Sequence, residues 1–350
     1  MVKKPYLIIP KLVEQPTWGG KYILEMKGWD KKKEYANLKI GQSYELSSET
    51  KLSLMASSDD LLNKTDSLSV SCFKESRPFP LIKFTQALGN SFQLHIKQSV
   101  KHPKWQPKAE SWYFLERGQA SVGIKKGISL FAYKLVCKEI EEEMKRLSLL
   151  VREKKRAIEC ARQKAREFAL YKDPWQFVNV ITVEKNTLID LSVGGIHHSW
   201  EENKSLCPLG NIVYEVQQDV PDEASTLRSF DQGKLKENGE VRDITIDDYF
   251  AYLDAREENN IPNPQKKEEG SLVTTPYYSL HRLNIEKKID KQASNSFHHL
   301  FVEEGEVQIS SEKGSIFVRR GHSCFIPSGV VYSINPTTNG GARLLQTFLP

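Results

Sequence analysis

Residues 91–99 read SFQLHIKQS, a run that alternates as a β-strand does. Along an extended chain Phe92, Leu94 and Ile96 point to one side, and Gln93, His95 and Lys97 to the other. An amide and an imidazole therefore share one face. Two readings are open at this point. The face is either the solvated side of an antiparallel sheet, or the wall of a cavity in which the pair helps to hold a metal ion.

Similar short runs surround it. KYILEM, SYELSS, PLIKFTQ, SWYFLE and ASVGIK, punctuated by Gly, Pro and Ser, predict a β-sandwich or barrel over residues 1–130, with DDLLNK as a brief helix. The texture changes at Lys134. No Gly or Pro occurs from there to Phe168, and Ile140, Met144, Leu147, Val151, Ile158, Ala161, Ala165 and Phe168 recur at spacings near three and four. That pattern predicts one long amphipathic helix, or two in a hairpin, with a polar break near Lys154. Its acidic and basic residues interleave, which suits a solvated face better than a nucleic-acid surface. Strand texture returns at QFVNVITVEKNTLIDLSVGGIHHSW (176–200) and NIVYEVQQ (211–218). A polar segment from about 233 to 270 reads as a helix followed by an exposed linker, and the last eighty or so residues are strands and turns again. The fold class is mainly β, with a helical insertion.

Composition narrows the partners. The 350 residues are 39% hydrophobic, enough for a large core, and 50 basic residues nearly balance 45 acidic ones at a net charge of +5. Neither a polyanion-binding surface nor a membrane span is expected, so nucleic acid and membrane are excluded as partners. The N-terminal apolar run is short and broken by Pro10, and the five cysteines are scattered without a CxxC pair. Reduced thiols and the lack of a leader in the sequence point to a cytoplasmic location.

A second strand, in KAESWYFLERGQASVGIK, carries Glu110, with Lys108 two positions earlier on the same face. In GGIHHSW, His197 follows a Gly-Gly turn. One Gln, two His and one Glu offer three strong ligands and an amide oxygen, a mixed set that suits zinc or another borderline divalent ion with an open coordination position.

These segments resemble a known family. TWGGKYI, IGQSYELSS, PFPLIKFTQALGNSFQLHIKQS, KAESWYFL, GGIHHSW and NIVYEVQQDVPDEASTLRSFDQGK occur in the order found in type I mannose-6-phosphate isomerases. The resemblance runs from about Pro16 to Lys234, and its most specific elements are K-x-E-x-W-Y at 108–113 and Y-E-x-Q-Q at 214–218. It implies a double cupin (jelly-roll) architecture. Its units are an N-terminal metal-binding cupin domain over 1–235 with the helical insertion at about 134–170, a helix and linker over 236–270, and a C-terminal cupin-like domain over 271–350.

The resemblance further implies one zinc ion per chain on Gln93, His95, Glu110 and His197, with His198 the competitor for the last place. Arg228 falls on the family's arginine near the reacting carbons, and Lys234 on a basic residue near the substrate phosphate. Trp18 and Glu215 match pocket residues, and Lys108 or Glu215 is expected to take part in proton transfer. The implied reaction is interconversion of mannose 6-phosphate and fructose 6-phosphate through an enediol-type intermediate. A small phosphorylated sugar is the partner, and the oligomeric state is left open. The chain departs from the family pattern at Ile96, where proline is usual, at Gln42 and Gln86, where acids are usual, and in the respaced segment before Arg228. These departures leave two alternatives: isomerisation of another sugar or sugar phosphate, or a metal-bearing cupin that binds sugar without turnover. A third reading makes the 134–168 helix the core of an interaction protein. The C-terminal unit carries His298, His299 and His322, which lack the ligand spacing of the first unit and are expected to be strand and turn residues.

Overall fold

The computed structural model describes residues 2–16, 18–62, 66–88, 91–199, 205–231 and 234–350, with 198 and 199 described by their backbone alone. Among the described residues, four antiparallel sheets form, as expected for two jelly-roll sandwiches. The inner sheet of the first unit has seven strands, in the order Gln265–Lys266, Thr187–Asp190, Glu110–Phe114, Asn211–Gln217, Leu81–Ala87, Ile40–Leu46 and Lys11–Glu14. Facing it is a five-stranded sheet of Val178–Val183, Gly118–Ile124, Gly195–Ser199, Phe92–His95 and Leu227–Phe230. The second unit pairs an eight-stranded sheet with a four-stranded one.

The period of two decides what each face meets. Phe92, Leu94 and Ile96 turn outward from the five-stranded sheet into a core shared with Tyr133, Cys137, Ile140, Met144 and Leu147. These come from the insertion, which is a hairpin of two helices, Leu130–Arg152 and Ile158–Lys172. The predicted break falls where Lys154 takes a left-handed φ of 59°. In DDLLNK, Asp59 and Asp60 belong to a 3-10 turn, Ser58–Asp60, and Asn63 and Lys64 lie outside the described residues. On the seven-stranded sheet, Tyr113 and Tyr214 face the second unit, where the Tyr214 hydroxyl lies 3.1 Å from Nδ1 of His299 and 3.0 Å from Oγ1 of Thr347. Their neighbours Glu110, Trp112, Glu215 and Gln217 face the five-stranded sheet. The central strands Leu81–Ala87, Glu110–Phe114 and Asn211–Gln217 are thus buried on both sides, and the polar residues of one parity are collected between the first unit's two sheets.

The first strand, Tyr6–Ile9, joins the eight-stranded sheet, pairing with Ser323–Ile326 of the second unit on one side and with Lys51–Ser53 on the other. A buried pair joins the units nearby. Lys27 Nζ lies 2.8 Å from Glu45, which also accepts from the hydroxyls of Ser43 and Ser323. A buried ion pair of this kind needs its remaining lone pairs satisfied, and here they are.

Candidate metal centre and cavity

Strand register brings the candidate ligands together. His197 pairs opposite Gln93 on one side, and Arg228 pairs opposite Gln93 on the other. Glu110 projects from the facing sheet, directly across from Gln217 on its neighbouring strand. Gly194 makes the approach of the third strand feasible. Its φ is +84°, and a Cβ there would lie 2.8 Å from the His95 carbonyl oxygen.

His95, Glu110 and His197 are all buried, and one ligand atom from each lies within 4.8 Å of the others. Nδ1 of His95 sits 2.8 Å from the Ser225 carbonyl oxygen, so this nitrogen carries the proton and donates. Nε2 is the nitrogen left to face Oε2 of Glu110, at 3.2 Å. His197 repeats the arrangement. Its Nδ1 donates to the Gly195 carbonyl at 3.3 Å, while Nε2 is buried without a hydrogen-bond partner among the described residues, 3.9 Å from Oε1 of Glu110. Two imidazole lone pairs converging on a carboxylate repel unless a cation lies between them. This donor set fits a zinc-type ion, because the outer hydrogen bonds fix the tautomers that ligation requires. Gln93 lies on the same face, and its amide N–H donates to Ser91 at 3.3 Å. The side chain of His198, the alternative ligand, lies outside the described residues.

The electrostatics agree. Burial lowers the pKa of His197 to about 3, against the opposing charge of Glu110, so the imidazole stays neutral. Burial would raise Glu110, but the neighbouring Lys108 ammonium opposes it, and the carboxyl is held well below its usual range. Lys108 Nζ reaches Glu110 and Asp222, each at 3.4 Å.

Gln93 and Glu110 open onto a cavity of about 580 Å³, with His95 and His197 outside its lining. Trp18, Gln93, Lys108, Glu110, Glu215, Arg228 and Lys234, all singled out in the sequence, line it. Trp18 reaches its place because Gly41 leaves room, since a Cβ there would lie 2.5 Å from the indole ring. Arg228 is mostly buried and pairs with Asp222 at 3.1 Å.

Lys83, Asp222 and Trp112 are among the wall residues that the sequence reading did not single out. Lys83 pairs with Glu215 at 2.9 Å. Burial would lower the Lys83 pKa, but Glu215 and then Asp222 outweigh it, and the ammonium is retained. A lysine inside the apolar run PLIKFTQ was the available signal. Asp222 bridges Lys108 and Arg228, and Trp112 donates its indole N–H to Glu110. Of the departures from the family pattern, Gln42 lines the cavity, whereas Gln86 accepts from the Tyr22 N–H and donates to the Leu209 carbonyl outside it. The C-terminal histidines serve packing: His298 bonds the Tyr332 hydroxyl, His299 meets Tyr214, and the His322 ring lies edge-on to Trp29.

Residues 268–333 match the family model described as mannose-6-phosphate isomerase, cupin domain. No curated protein matches the sequence. Among solved structures, the mannose 6-phosphate isomerase of Bacillus subtilis superposes with a TM-score of 0.64 at 14% identity, covering 99% of each chain. A mannose 6-phosphate isomerase bound with zinc and yttrium gives 0.63 at 13% identity, over 99% of this chain and 100% of that one. The apo form from Salmonella typhimurium gives 0.61 at 13%, covering 100% of both. The resemblance read from the sequence therefore extends to the fold of the whole chain.

Proposed function

We propose that the chain is a metal-dependent aldose–ketose isomerase acting on mannose 6-phosphate and fructose 6-phosphate. One observation carries the reading. Seven residues named from the sequence line a single cavity beside a buried His-Glu-His set whose lone pairs converge. The match to the isomerase cupin domain supports it.

His95, Glu110 and His197, with Gln93 as the fourth ligand, would hold the ion. When bound, a zinc-type ion supplies Lewis-acid polarisation of an oxygen at the reacting carbons. The protein's own groups supply the rest. A proton must move between C1 and C2, and charge builds on the adjoining oxygens as it does so. The Arg228 guanidinium, fixed by Asp222 and by Ser91 at 3.2 Å, stabilises that charge with a planar pair of N–H donors. Of the two candidates for proton transfer, Glu215 acts as acceptor and Lys108 as donor. Burial raises the Glu215 carboxyl and the Lys83 ammonium opposes the rise, which leaves a carboxylate of increased basicity facing the cavity. Lys108 Nζ, buried beside Glu110, is placed to protonate a substrate oxygen. Lys234 and Trp18 bind the remainder of the sugar phosphate.

A panel of aldoses and ketoses, each with and without phosphate, tests this reading. Turnover confined to the mannose/fructose 6-phosphate pair is expected. Turnover of a different pair would move the substrate assignment, and zinc binding without turnover of any sugar would leave a sugar-binding cupin.

A further inference from the structure

We propose that Arg242 is the residue that makes this cavity select for a phosphorylated sugar, closing with Lys234 on the phosphate from a chain segment outside the recognised motif. This rests on the sugar-phosphate reading above and adds to it a specificity determinant.

Arg242 comes from the stretch just before the helix Ile246–Tyr252, yet it lines the same cavity as Arg228 and Lys234. Asp231 is the link between the two cations. It lies 3.7 Å from the Arg242 guanidinium, and its carbonyl accepts from the Lys234 backbone N–H at 3.1 Å. Asp231, Lys234 and Arg242 also border one small crevice together, so the turn bearing Lys234 and the segment bearing Arg242 lie side by side.

Two features mark Arg242 as available to a ligand. Its only ion pair among the described residues is that 3.7 Å contact, beyond hydrogen-bonding distance, and its side chain is 46% exposed. It also stands close enough to Arg228 for the like charges to act on one another. Burial lowers the Arg228 pKa, Asp222 opposes this, and Arg242 lowers it further. Arg228, Lys234 and Arg242 line this wall, where Asp222 is taken up by Arg228 and Lys108, and Asp231 stands 3.7 Å from Arg242. A dianionic phosphate supplies Arg242 with a closer counter-charge and can accept two parallel N–H donors from its guanidinium. A neutral hydroxymethyl group at the same place can do neither.

The test uses the full chain and reads binding as well as turnover. Calorimetric titration with fructose 6-phosphate and with fructose gives the phosphate preference directly. Arg242→Ala should weaken fructose 6-phosphate binding and raise its KM by about tenfold or more, with kcat changed by less than about twofold. Binding of fructose should be unchanged. Arg242→Lys should recover part of the loss, because charge returns without the planar fork. Equal losses for fructose and fructose 6-phosphate, or no loss for either, would overturn the inference. Should the wild-type chain isomerise no sugar, the reading above fails while the binding comparison still decides. A phosphate preference lost in Arg242→Ala upholds Arg242, and no preference in the wild type removes it.

Discussion

The indole N–H of Trp112 donates to Oε1 of Glu110 at 2.5 Å, on the oxygen that faces Nε2 of His197. The Trp112 ring also packs edge-on against the His197 imidazole, with centroids 5.2 Å apart. One side chain therefore orients two of the converging donors, as outer hydrogen bonds do around metal ligands.

Trp112→Phe keeps the ring and removes the donor. Zinc affinity, measured by competition with a chromophoric chelator, should fall by roughly tenfold to a hundredfold. The apo protein should keep its fold by circular dichroism. Unaltered affinity would mean that the contact orients nothing.

His95→Ala should strip the metal, and His322→Gln should leave it in place. The first loses a nitrogen aimed at Glu110, whereas the second changes a ring packed on Trp29 in the other unit. Metal content by atomic absorption separates them, and equal content would sink the ligand assignment. Bound metal should also be released on acidification, because ligation needs unprotonated imidazoles.

Much of this centre was legible in the sequence because its residues sit at fixed offsets on strands. Gln93 and His95 share a face by parity, as do Lys108 and Glu110, and parity survives whatever the tertiary packing. The partners supplied by long-range pairing were not legible. No local pattern tells that Lys83 stands opposite Glu215, or that Tyr6–Ile9 pairs with a strand more than 300 residues away. The hairpin break at Lys154 was visible as a polar gap. Arg242 was not, since it reaches the cavity from a polar stretch with no motif of its own.

Acid should destabilise the metal-free protein. Burial depresses the pKa of His197, His299 and His322 to about 3 and of His298 to about 4, each from an ordinary 6.5. The unfolded chain therefore takes up protons before the folded one does. The stability these neutral rings contribute is present above pH 6.5 and is lost as pH falls toward 3. Each ring steepens the loss by up to about 1.4 kcal/mol per pH unit. Glu215 and Glu303, whose carboxyls burial raises from 4.5, act in the opposite sense just above that pH. Chemical denaturation of the apo protein from pH 7 to pH 4 checks the slope. His322→Gln, which can keep a donor toward the Arg320 carbonyl, should flatten it by about one proton. An unchanged slope would show that His322 titrates normally.

Arg228→Ala should separate catalysis from folding. The side chain leaves the cavity wall, while the His-Glu-His set stays intact on other strands. Turnover should fall roughly a hundredfold, or about 3 kcal/mol, with a much smaller change in substrate binding. Arg228→Lys should not restore the rate, because an ammonium cannot span two oxygens. Near-normal kinetics with metal retained would remove Arg228 from the mechanism.

Exchange at C2 puts the account to its most direct test. Mannose 6-phosphate is incubated in deuterated water with the zinc-loaded chain, and deuterium at C2 and conversion to fructose 6-phosphate are followed together by NMR. Both should occur with the zinc-loaded wild-type chain, both should cease on chelation, and both should return when zinc is restored. A fully zinc-loaded chain that binds the sugar phosphate but leaves C2 unexchanged would contradict the proposed isomerase.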